Sequence, residues 1–221
     1  MPLALRGTMQ VGTYAPSRLP QADSDLITRL TAMYANDKLL HPLWDSAVKT
    51  QELASDISGN NGRNGTELGE LAASLMFPAD GARVMMVETG GWDTHSGQRG
   101  RLAAQLRGLD KFAGALRTGL GPAWADTLVL VATEFGRTVE VNGTGGTDHG
   151  TASVLMLLGG GLKEGGKVSA DWPGLATPAR YEGRDLKPTR SLESVIAGAV
   201  AHHYGLDPMH VVGTLYPDIE T

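Results

Sequence analysis

Two short apolar runs flank one long amphipathic stretch, and this pattern limits what the chain can fold into more than any other feature. Arg83-Val-Met-Met-Val-Glu88 is too short for a helix and does not alternate, so it is expected to be a buried strand. From about Gln98 to Leu120, the residues Leu102, Leu106, Leu109, Phe112, Ala113, Leu116 and Leu120 fall at steps of three and four. That spacing predicts an amphipathic helix, ended by Gly121-Pro122. Thr127-Leu-Val-Leu-Val-Ala-Thr133 is a second apolar run and Ser153-Val-Leu-Met-Leu-Leu158 a third. Strand, helix, strand is most simply a right-handed βαβ unit with parallel strands. Runs without alternation fit strands covered on both faces. The expected class is α/β, a mostly parallel sheet flanked by helices.

Residues 1–80 read instead as a helical, polar lead-in to an α/β core over 81–221, the two forming one domain overall. Asp23 or Ser24 can cap a helix carrying Leu26, Ile27, Leu30 and Met33. A second helix is expected from about Pro42 to Ile57 and a short third from Glu67 to Met76. The Gly/Asn-rich stretch 58–65 between them reads as a loop. Near the other end, a helix over about Ser191 to Tyr204 would bury Leu192, Val195, Ile196 and Ala199. Gly205 stops it, and Asp207-Pro208 has the form of a cap and first helical position.

Composition removes several classes of chemistry. No cysteine is present among the 221 residues, which excludes thiolate zinc sites, iron–sulfur clusters and cysteine nucleophiles. A formal charge of −5 without a basic stripe argues against nucleic acid as the main partner. No apolar run approaches the roughly 20 residues that span a bilayer. The first ten residues, MPLALRGTMQ, lack the apolar core of a signal peptide. Glycine, at 30 of 221, is about twice its ordinary usage, so many tight backbone turns are expected.

Those turns lie where reactive side chains concentrate. In open parallel sheets, ligands bind outside the carboxyl ends of the strands. After the first expected strand come Glu88, Asp93 and His95; after the second come Glu134 and Arg137; Asp148 and His149 precede the third. Asp, Glu and His supply oxygen and imidazole ligands for divalent metals. Asp93 and His95, two residues apart, can face one side of an extended loop. Arg137 offers a planar fork for a phosphate or sulfate oxyanion. Plainer readings stand beside these. Asp-x-His often marks a hydrogen-bonded turn, Glu134 could neutralise Arg137, and Asp148 could form an Asx-turn with His149 bonded to backbone. His41, His202, His203 and His210 read as surface or packing histidines.

Gly90-Gly-Trp-Asp-Thr-His-Ser-Gly-Gln98, Thr133-Glu-Phe-Gly-Arg-Thr138 and Asn142-Gly-Thr-Gly-Gly-Thr-Asp-His-Gly150 resemble the bacterial domain-of-unknown-function family 1501. Gly165-Gly-Lys-Val and Asp171-Trp-Pro-Gly-Leu175 fit it as well. That family is similar to the alkaline phosphatase and sulfatase superfamily, whose members typically carry an α/β sheet with two metals at strand ends. The resemblance implies an alkaline-phosphatase-like fold corresponding to the C-terminal half of that plan. It also implies a divalent metal (zinc, manganese, magnesium or calcium), held by His95 and His149, then Asp93 and Glu134, with Asp148 beside them. Family members are typically exported. The chain departs from the superfamily where Glu134-Phe135 replaces an Asp-His pair, where the Asp93–His95 spacing is shorter, and where no Ser or Thr matches the nucleophile motif.

Two functions follow as expectations. One is a metal-dependent hydrolase of phosphate or sulfate esters, or the C-terminal half of one, taking a small anionic ester, with Arg137 holding the oxyanion and the catalytic nucleophile unassigned. The other is a catalytically silent ligand-binding or scaffold relative. A third, purely structural, reading has Asp148 and His149 only brace their loop. A sheet lacking its other half would expose an edge strand, which predicts association with a second copy or with a separate N-terminal half.

Overall fold

The computed structural model describes residues 24–54, 64–79, 81–162 and 165–217. The expected loop over 58–65 lies outside these residues up to position 63. The chain divides into two compact units, one of residues 1–89 with 106–121, the other of 90–105 with 122–221. The later turns of the long helix group with the N-terminal helices. Among the described residues, no helix is long and apolar enough to cross a membrane.

The first unit is helical. Helices α1 (Ser24–Tyr34) and α2 (Leu40–Ala54) meet where Trp44 donates its indole N–H to Thr31 at 2.7 Å and sets its ring edge-on to Tyr34. Helix α2 starts earlier than expected because Asp37 accepts hydrogen bonds from the backbone of Leu39 and Leu40, which caps it. Helix α3 (Gly65–Met76) is capped by Asn64, whose amide also donates to Glu67 at 2.9 Å. Small residues then let α3 lie almost backbone to backbone on the later turns of α4 (Gln98–Leu120). A Cβ at Gly65 or Gly69 would fall 2.0 Å from the Gly108 carbonyl oxygen or 2.4 Å from that of Phe112. Leu71, Ala72, Ala73, Leu116 and Leu120 are buried. The expected apolar stripe of α4 is covered only in part, since Leu106 is exposed.

The second unit holds two small sheets. Strand β1 (Val129–Val131) pairs with β4 (Met156–Leu158), and β2 (Gly136–Arg137) with β3 (His149–Gly150). Both pairs are antiparallel. The connection between β1 and β4 contains the β2–β3 pair and no helix, whereas a parallel crossover usually runs through a helix. In the first unit, the apolar run at 83–88 belongs to no described strand, begins with a bend at 83–84, and leaves Val84 and Met86 exposed.

Helices α5 (Leu192–Tyr204) and α6 (Pro208–Leu215) form a hairpin at the chain's end. Ser191 accepts from Ser194 N, Gly205 closes α5 at φ 65°, and Asp207 caps α6 through His210 N. The side of α5 that is buried carries Ala197 and Ala201, packed with Val211 and Val212, while Leu192 is exposed. Of the residues expected on that side, Val195, Ile196 and Ala199 are half-buried, and the small Ala197 and Ala201 lie deepest.

Candidate metal centre

Two glycine-rich loops of the second unit build the site. The loop at 90–97 leads into α4, and the loop at 142–148 lies between β2 and β3. They are stitched by a bridge between Ser96 and Gly145 and by Gly97 N and Gln98 N donating to the carbonyls of Thr144 and Gly145. Gly145 takes a φ of 73°, a conformation most residues avoid. Beneath them, the Gln98 side-chain oxygen accepts from Thr94 at 3.1 Å and Thr147 at 2.7 Å, both hydroxyls being buried. These bonds place the two loops in fixed register.

The β2–β3 ladder sets Arg137 directly opposite His149. Asp93 Oδ1 then lies 2.8 Å from His149 Nε2 and 2.9 Å from His95 Nε2. One ligand atom from each of Asp93, His95 and His149 falls within 4.8 Å of the others, and all three side chains are exposed. Asp148 meets the opposite ring nitrogen of His95, with 2.8 Å between Oδ1 and Nδ1. The hydrogen bond from His149 chiefly holds the Asp93 carboxyl below the usual carboxylate range, with the charges of His95 and Arg137 acting the same way. His95, and after it Asn142, does the same to Asp148. Both acids are therefore anions at neutral pH, the form that can bind or steer a metal.

Of the residues expected at the site, Asp93, His95 and His149 converge, and Asp148 touches the group from behind His95. Glu134 is exposed, and among the described residues no hydrogen bond or ion pair joins it to that group. It precedes β2, outside the ladder that sets His149 opposite Arg137. Arg137 is not an open fork. Its terminal nitrogens donate to the carbonyls of Thr147 (2.9 Å) and Trp92 (2.6 Å), with Asp93 at 3.4 Å. Phe135 stacks on His149 and lies under the Arg137 guanidinium. Sequence reasoning passed over Gln98 and Asn142, because a side-chain amide in a glycine-rich stretch signals a turn and nothing more.

Two histidines and a carboxylate converging at a solvent-open rim define a protein with a candidate divalent-metal site. A family model described as protein of unknown function (DUF1501) matches residues 27–208, and the chain belongs to that family. No curated protein and no solved structure matches the chain.

Proposed function

We propose that this chain is a metal-dependent hydrolase of phosphate or sulfate esters, or the C-terminal half of one, related to the alkaline phosphatase and sulfatase superfamily. The observation that carries the reading is the convergence of Asp93, His95 and His149 within 4.8 Å. The donor set fits a divalent metal. Imidazole nitrogens suit zinc and other transition ions, and three protein ligands leave positions open for substrate. A bound metal would supply Lewis-acid polarisation of an ester oxygen.

The chain's own residues prepare that chemistry. Asp93 contributes a negative oxygen shared between the two imidazoles. Arg137 ties both loops together through Trp92 and Thr147 and adds positive charge beside Asp93. The exposed rim admits a small anionic ester from solvent.

A second reading, a silent ligand-binding relative, draws support from one feature. The Thr144 hydroxyl on this loop gives its one hydrogen to the His95 carbonyl at 2.6 Å, so it is not set up as a nucleophile. Hydrolysis of p-nitrophenyl phosphate and p-nitrophenyl sulfate, with zinc, manganese or magnesium supplied, decides between them. Turnover that disappears in His149→Ala supports the hydrolase. Metal binding without turnover supports the silent relative, and absence of both removes the site.

A further inference from the structure

We propose that Asn142 is a positioning residue of the metal centre, holding His95 by both its backbone and its ring; the proposal rests on the metal reading above. The Asn142 amide nitrogen donates to the His95 carbonyl at 3.0 Å and to Asp148 Oδ1 at 3.1 Å. Its oxygen accepts from Thr144 N (3.0 Å) and Gly146 N (3.1 Å), while the Thr144 hydroxyl gives its one hydrogen to the His95 carbonyl at 2.6 Å. A primary amide has two N–H groups and two lone pairs, so all its capacity is used. The orientation is unambiguous, because the reversed amide would point N–H groups at two backbone donors.

The consequence reaches the metal-facing nitrogen. Asp148 Oδ1 lies 2.8 Å from His95 Nδ1, which leaves Nε2 facing Asp93. A carboxylate on the second nitrogen of a ligating histidine fixes its tautomer and ring direction. Asn142 fixes that carboxylate and, through the carbonyl bond, the main chain from which the ring springs. The two halves of its amide thus do different work: the oxygen shapes the 142–146 turn, and the nitrogen aims His95.

Asn142→Asp separates the two. It keeps acceptors for Thr144 N and Gly146 N but removes both donors. It also adds negative charge near the site, which by itself would attract a cation, so weaker binding would report lost aim. Cobalt(II) titration of the full chain against a chelating indicator reads the affinity, and the d–d absorption reads ligand geometry. The expected result is an affinity about 10- to 100-fold lower with an altered cobalt spectrum, while circular dichroism stays that of the wild type. Wild-type affinity and spectrum in Asn142→Asp would overturn the proposal and leave the metal site standing. Should that variant not fold, Asp148→Asn carries the same expectation, and wild-type binding there would overturn it equally. A wild-type chain that takes up no cobalt would remove the metal reading and this inference together.

Discussion

Phe135 lies flat against His149, the ring centroids 4.4 Å apart and the planes within 9° of parallel. The Arg137 guanidinium carbon is 4.7 Å from the centre of the same phenyl ring. An apolar ring at this position therefore has a task of its own, to restrict rotation of the imidazole that faces Asp93. Aromatic contacts of this kind are worth about 0.5–1.5 kcal/mol. Phe135→Leu should weaken metal binding by roughly two- to tenfold, and Phe135→Tyr should preserve it. Cobalt competition titrations measure both, and equal binding in all three proteins would refute a role for the stack.

Gly146 has no room for a side chain, since a Cβ there would fall 2.2 Å from the His95 carbonyl carbon. Gly143, three residues earlier, has nothing within 4 Å. Gly146→Ala should therefore push the two loops apart, lowering the thermal midpoint and metal affinity together, whereas Gly143→Ala should leave both near wild type. Equal behaviour of the two variants in thermal melts would show that the loops are not packed as described.

Arg137 joins two carbonyls on different loops, a geometry that a planar fork satisfies and an ammonium does not. Arg137→Lys should cost about 1–3 kcal/mol in denaturant unfolding. Loss of phosphate affinity with an unchanged unfolding midpoint would instead assign Arg137 to oxyanion binding.

Asp185 is buried and bonded to Arg184 at 2.7 Å and to the Thr151 hydroxyl at 2.9 Å. The Arg184 hydrogen bond holds its carboxyl below the usual range, with burial opposing and Thr151 assisting. A carboxyl depressed in the folded state stabilises fully above its unfolded value of about 3.9, and that stability is lost as pH falls through the folded value. Asp185→Asn should thus be less stable than wild type at pH 7, with the gap narrowing below about pH 4. Urea midpoints against pH test this, and a gap that widens on acidification would contradict it.

What the sequence disclosed follows from the range of the forces involved. Caps and stops are local, so Gly205 and Asp207-Pro208 marked the α5–α6 hairpin correctly. The reactive loops were also visible, because Asp93, His95 and His149 stand in glycine-rich turns whatever the strands do. Strand direction was not. It depends on the connection, and the β2–β3 pair between β1 and β4 has only two residues per strand, too few to give a periodic signal. On α5 the spacing found the half-buried Val195, Ile196 and Ala199 but not Ala197 and Ala201, which lie deepest, against Val211 and Val212. Phe135 looked like a lost ligand, and only the β2–β3 register shows it beside His149. Asn142 was indistinguishable from a turn residue, since its partners His95 and Asp148 are chosen by tertiary contact.

Elemental analysis of the full chain, equilibrated with zinc and then dialysed, tests the metal centre most directly. Retention of zinc by the wild type, and its loss in both His95→Ala and His149→Ala, is the predicted result. A wild type that comes through dialysis without zinc, or histidine variants that keep as much as the wild type, would contradict it.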